Sequence, residues 1–183
     1  MANTKASDES AAAALDGTEI VRIVQSGSSV RTTVQDILDI NAFSGAMVKK
    51  SADQTTADYT VAAAVAFNTE VYDVGGWHDT VTNNSRFTVP SGVTRIRLHA
   101  QALLTSITAS MYVIGEFFKN GAAISPREVN ANEISAGFNY LIVDSNVLTC
   151  VAGDYFEFVL TVETDTSVTV VADATTFSIK KVS

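Results

Sequence analysis

From Val61 onward the chain is a succession of short apolar–polar alternations cut by turn residues, and few folds accommodate that pattern. A period of two places successive side chains on opposite faces of a strand. Eight segments carry it: 61–67, 86–89, 94–104, 111–119, 138–148, 155–163, 167–171 and 176–182. Turn signals separate them, among them Gly75-Gly76, Asn83-Asn84, Pro90-Ser91-Gly92, Asn120-Gly121 and Gly153-Asp154. Asn-Gly between apolar runs is the strongest short hairpin signal, because both turn positions need positive φ. The 23 valines and 21 threonines lean the same way, since β-branched residues suit a pleated surface. There is no heptad run and no internal repeat. The expected fold class is all-β, a sandwich or jelly roll.

The first 60 residues read differently. Residues 20–25 alternate as a short strand, Ser26-Gly27-Ser28-Ser29 forms a turn, and residues 30–32 resume a strand. Thr33-Val34-Gln35-Asp36 fits a capping box ahead of Ile37, Leu38 and Ile40, which predicts a short helix. A hairpin plus a short helix is too small to bury a core of its own. It needs another copy or another protein. Residues 43–60 read as a connector. The organisation expected is an N-terminal segment 1–42, a connector 43–60 and a β domain 61–183.

Composition narrows the function. A net charge of −8 over 183 residues disfavours the phosphate backbone of nucleic acid as a partner. No apolar run is long enough for a spanning helix, so membrane insertion is not expected. The N-terminus shows no secretory signal pattern. One cysteine, Cys150, cannot form an intrachain disulfide, and in the apolar run 147–151 it reads as a small buried hydrophobe. Two segments, 111–118 and 155–160, read as apolar on both faces. Such a strand needs a second cover, either another subunit or a loop.

Several motifs in this order resemble the C1q/TNF-like globular domain. They are an opening Phe67, the turn Phe87-Thr88-Val89-Pro90-Ser91-Gly92, the hairpin Lys119-Asn120-Gly121, the stretch from Leu148 to Gly153-Asp154, and a closing Phe177-Ser178 strand. Gly92-Val93-Thr94-Arg95 departs from the Gly-x-Tyr common there, a variant associated with phage-encoded members. The resemblance implies a ten-stranded jelly roll in a tight homotrimer, with Tyr112, Ile114, Phe117, Phe156, Phe158 and Leu160 at the trimer interface. Residues 14–25 and 30–37 resemble a short module that opens many tailed-bacteriophage fibre and virion proteins. That resemblance implies a virion anchor through Leu15, Ile20, Val21, Ile23, Val34 and Ile37, contacting capsid or tail proteins.

Catalytic and metal motifs are scarce. No G-x-S-x-G, phosphate-cradling glycine loop or H-E-x-x-H occurs. Two histidines 21 residues apart and one cysteine provide no zinc spacing. Asp73 with Asp79, or Asp144 with Asp154, could offer oxygens to calcium, or simply be solvated loop carboxylates. Trp77 could stack on a sugar ring, with His78, Asn83 and Asn84 as further glycan contacts, or Trp77 could instead pack across one end of the sandwich. Arg95 and Arg97 alternate with Ile96 and Leu98, so both share one face, facing an acidic protein surface, a glycan or solvent.

The expected function is therefore non-enzymatic, with no cofactor and no bound metal: a trimeric capsid decoration protein or short head fibre of a tailed-phage virion, assembled in the host cytoplasm. The alternative is a tail fibre tip or receptor-binding adhesin for host attachment through surface glycans. A small glycan-acting enzyme and a secreted bacterial C1q-like lectin are further alternatives.

Overall fold

The computed structural model describes residues 20–25, 28–33, 42–56, 61–107, 111–124, 129–134, 137–162 and 168–182. The chain divides into two compact units, Met1–Ala42 and Phe43–Ser183. In the first, β1 (Ile20–Gln25) and β2 (Ser28–Thr33) form an antiparallel hairpin. β2 starts two residues earlier than expected and runs through Thr33, which pairs with Ile20. The rest of the expected helix lies outside the described residues.

The second unit is a sandwich of two antiparallel sheets, and no helix occurs among the described residues. One sheet has eight strands: β3 (Gly45–Lys49), β4 (Gln54–Thr56), β6 (Thr69–Val74), β8 (Arg95–Ile107), β12 (Gly137–Asp144), β13 (Leu148–Thr149), β15 (Val168–Val170) and β16 (Thr176–Lys181). The other has six: β5 (Ala63–Ala64), β7 (Arg86–Thr88), β9 (Met111–Lys119), β10 (Ala122–Ala123), β11 (Val129–Ile134) and β14 (Tyr155–Val162). In the larger sheet β8 pairs with β16 and β15 on one side and β12 and β13 on the other; β3 lies between β16 and β6.

The connector reading of residues 43–60 is corrected here, because β3 is an interior strand of the larger sheet. Its small residues hide it from pattern reading, and packing needs them. A Cβ on Gly45 would run into the Ile179 carbonyl oxygen and come within 3.2 Å of the Phe43 ring. β6 was also not expected; as an edge strand it exposes residues of both faces, so no alternation marks it. The expected strand 138–148 is two strands. Both run antiparallel to β8 in the same direction, and the ladder is interrupted between Asp144 and Leu148, where the buried Ser145 hydroxyl accepts from the Leu98 N–H at 2.8 Å and donates to the Asn146 carbonyl.

Inward faces of both sheets meet in one apolar core. Phe177 sits at its centre, with ring centroids 4.6 Å from Phe87, 5.8 Å from Phe67 and Phe117, and 6.4 Å from Phe158. The Asn120-Gly121 turn joins β9 to β10 with φ of 53° and 79°, as the hairpin signal requires.

That turn is tied to the Gly153-Asp154 turn. Asp154 accepts from Lys119 Nζ at 2.7 Å, Asn120 Nδ2 at 2.8 Å and the Val151 N–H at 2.9 Å. Burial works to raise its pKa, but the Lys119 ammonium, the Asn120 amide and the Val151 N–H outweigh it and leave the carboxyl at about 2. A folded value below the unfolded one means the carboxylate stabilises the fold above roughly pH 4, and that contribution is lost as pH falls through 2. Discounted for solvent screening, it is worth about 1–2 kcal/mol. Asp154→Asn is expected to lower unfolding free energy by that amount at pH 7 and to reduce the loss of stability between pH 4 and pH 2. Equal acid sensitivity of the variant and the parent in urea titrations would rule this out.

Candidate functional site

The expected trimer-interface set does not form one surface. Phe117, Phe156, Phe158 and Leu160 are buried in the chain's own core, at 1% exposure or less. Tyr112 is exposed and Ile114 half-buried, on the opposite face of the same sheet. The reason is register. On β14, Phe156, Phe158, Leu160 and Val162 point inward, while Tyr155, Glu157, Val159 and Thr161 form the outer face. On β9, Val113, Gly115 and Phe117 are inward. A set drawn from both faces cannot meet one partner.

The glycan set is likewise corrected. Trp77 is 1% exposed. The Asp73 carboxylate accepts from the N–H groups of Gly76, Trp77 and His78 at 2.8–3.0 Å, folding the loop so that the indole enters the core. There its Nε1 donates to Ser44 Oγ at 3.1 Å and to the Val74 carbonyl at 3.2 Å. The His78 ring is buried too, with Nδ1 3.3 Å from Glu70 Oε1, Nε2 3.3 Å from the Asn84 carbonyl, and its edge toward Phe87. Asn83 is exposed, with a left-handed φ of 56°; Asn84 is half-buried. No sugar can stack on Trp77 in this arrangement. Of the anchor residues, Ile20, Val21 and Ile23 lie on β1, while Leu15, Val34 and Ile37 lie outside the described residues.

The carboxylates considered for calcium each have protein partners. Asp73 caps the Trp77 loop, and Asp79 caps the N–H groups of Val81 and Thr82, which lower its pKa. Asp144 pairs with His99 and Asp154 with Lys119. Among the described residues no group of three or more His, Cys, Asp or Glu could hold a metal ion. Cys150 is buried, and that burial raises its thiol pKa.

Among the described residues, the outer side of the eight-stranded sheet carries an open apolar surface. At one end, β12 presents Phe138, Tyr140 and Ile142 at 72%, 53% and 44% exposure, while Leu141 between the last two and Val143 after them face the core. Tyr140 lies directly opposite the half-buried Leu103 of β8, so the apolar surface continues across strands. At the other end two transverse rows cross the sheet. One runs Tyr72–Met47–Ser178–His99–Asp144, the other Val74–Gly45–Lys180–Arg97. These rows border a hollow of about 420 Å³, lined among others by Tyr72, Arg97, His99, Asp144, Ser178 and Lys180.

No protein-family model matches this chain, and no curated protein matches it in sequence. Similar solved structures include murine APRIL at pH 8.0, with TM-score 0.51 and 16% identity, covering 77% of this chain and 100% of that one. Murine APRIL at pH 5.0 gives 0.50 and 13%, with the same coverage. The globular domain of zebrafish complement 1qA protein gives 0.47 and 13%, covering 74% and 94%. The fold is a C1q/TNF-like jelly roll.

Within this jelly roll, Arg95 and Arg97 share the outer face of β8, as their alternation predicts. Sequence reading missed the exposed stripe of β12, although its signal was present. Phe138, Tyr140 and Ile142 point outward while Leu141 and Val143 face the core, so β12 is apolar on both faces, as is β9, with Tyr112, Ile114 and Phe118 opposite Val113 and Phe117.

Proposed function

We propose that this chain is a non-enzymatic, homotrimeric structural protein of a tailed-phage virion, a capsid decoration protein or short head fibre held through residues 1–42. One observation carries the self-association: an apolar, aromatic stripe on a regular strand of the larger sheet, open to solvent in the single chain. Scattered exposed apolar residues are ordinary, whereas a continuous stripe marks an interaction face. Trimers are the expectation for C1q/TNF-like domains, and the stripe on β12 supports a subunit contact there. The phage setting is supported by the resemblance of residues 14–37 to a virion attachment module and by the separation of Met1–Ala42 as its own compact unit.

The decisive experiment is a pair of measurements. Sedimentation equilibrium is expected to return three times the 19.4 kDa chain mass. Density maps of particles with and without the chain are expected to differ at threefold or quasi-threefold capsid positions. A single-chain mass refutes the trimer. Unchanged particles refute the virion role, and density lost only at the tail transfers the role to host attachment.

A further inference from the structure

The Asn120-Gly121 turn holds a reactive pair of groups that the surrounding fold keeps apart. An asparagine followed by glycine can close on itself, because the next backbone nitrogen can attack the side-chain Cγ and glycine has no side chain to hinder the approach. Both residues are exposed, and the Gly121 N–H makes no hydrogen bond among the described residues. The Asn120 side chain is pinned at both ends. Its Oδ1 accepts from the Tyr155 N–H at 2.9 Å, and its Nδ2 donates to Asp154 Oδ1 at 2.8 Å. The backbone is held as well, since the Asn120 N–H donates to the Tyr155 carbonyl at 2.9 Å. Asp154 is in turn fixed by Lys119 Nζ at 2.7 Å and by the Val151 N–H at 2.9 Å. A hairpin of this kind asks only for the positive φ of Asn-Gly, 53° and 79° here; it does not require a second turn to grip the side-chain amide.

We propose that Asn120 is a deamidation site that Asp154 keeps closed, so that opening of this turn is recorded as an irreversible chemical change. In the reaction the Gly121 nitrogen bonds to Asn120 Cγ, the Cγ–Nδ2 bond breaks, and the Gly121 proton leaves with Nδ2 as ammonia. Water then opens the succinimide to aspartate or isoaspartate. Ring closure needs the Cγ carbon turned face-on to the attacking nitrogen. With Oδ1 committed to the start of β14 and Nδ2 to the neighbouring turn, the amide plane cannot rotate freely while both hydrogen bonds stand. Parting of the two turns releases it without unfolding the core, because exposed turns open at lower free energy than core strands. The product does not restore the contact. A carboxylate at position 120 has no N–H to give Asp154, and it sets two like charges where an amide met a carboxylate. Isoaspartate also adds a backbone atom to the two-residue turn that sets the pairing of β9 with β10. Asp154 acts here as a positioning residue. The site is independent of residues 1–42, of the β12 stripe and of the virion assignment.

Peptide mapping by mass spectrometry on the full chain, aged in neutral buffer with and without denaturing urea, tests it. Deamidation at Asn120 is expected to run at least tenfold faster in urea than in the folded parent. Asp154→Ala, aged folded in plain buffer, is expected to speed it at least threefold. Ile179→Ala separates local release from global unfolding: Ile179 is buried in the core, at 1% exposure, and its loss weakens the whole fold while leaving the turn untouched. That variant is expected to deamidate at the parent rate, with near-ultraviolet circular dichroism checking that both variants remain folded. Equal rates for the parent in buffer and in urea overturn the proposal, and that comparison needs no variant. An unchanged rate in folded Asp154→Ala, or an equal acceleration in Ile179→Ala, also overturns it.

Discussion

Phe177→Ala is expected to lower the unfolding free energy by about 3–5 kcal/mol, the usual cost of emptying a buried phenylalanine site. The side chain, on β16 of the eight-stranded sheet, is 1% exposed and touches rings across the core: Phe87, Phe117 and Phe158 from the six-stranded sheet, and Phe67 from the segment between β5 and β6. Removing it takes away transfer free energy and also leaves a cavity whose walls are held by two separate hydrogen-bonded sheets. Neither sheet can move inward without breaking its ladder, so the cavity cannot close. Against a total stability of about 5–15 kcal/mol, such a loss is a large fraction of the whole. Urea denaturation followed by the fluorescence of Trp77, the single tryptophan, reads it directly. A loss below about 1 kcal/mol would mean that Phe177 is not the centre of the core.

Tyr140→Asp and Ile142→Asp are expected to convert the proposed trimer to single chains. In the isolated chain both positions are exposed, at 53% and 44%, so a carboxylate there meets water and the fold survives. In an assembled trimer the same carboxylate would be desolvated without a partner, at a cost of several kcal/mol per interface. A closed ring repeats the penalty at each contact. Sedimentation should therefore fall to the 19.4 kDa chain mass while near-ultraviolet circular dichroism is retained. Val151→Asp is the control. Val151 is also exposed, at 65%, but lies in the turn before β14, away from the stripe. A trimer that tolerates Tyr140→Asp, or dissociates equally with Val151→Asp, would remove β12 from the interface.

These two substitutions also separate what pattern reading reaches from what it does not. β9, β14 and β16 were legible because each pairs a regular alternation with a clear turn, Asn120-Gly121 above all. β3 was not, because Gly45 and Ala46 carry little hydrophobic signal, yet close packing against β16 demands small residues there. The site was less legible than the fold. Alternation establishes that Phe156, Phe158 and Leu160 share a face, but not whether that face looks at the core or at a partner. Trp77 illustrates the same gap: a tryptophan in a Gly-Gly loop is equally a platform or a plug, and the Asp73 carboxylate, binding three successive N–H groups, makes it a plug.

What the sequence determined by itself is therefore local: strand periodicity, turn chemistry, the shared face of Arg95 and Arg97, and the order of motifs that matches a C1q/TNF-like jelly roll. Tertiary structure alone decided which face of each strand is inside, because that depends on which sheet lies across the core. It also decided that Arg97, Lys180, His99, Asp144 and Tyr72, scattered over more than a hundred positions in the chain, border one hollow. Cross-strand register makes those residues neighbours, and register is a property of the paired sheet that no single strand carries.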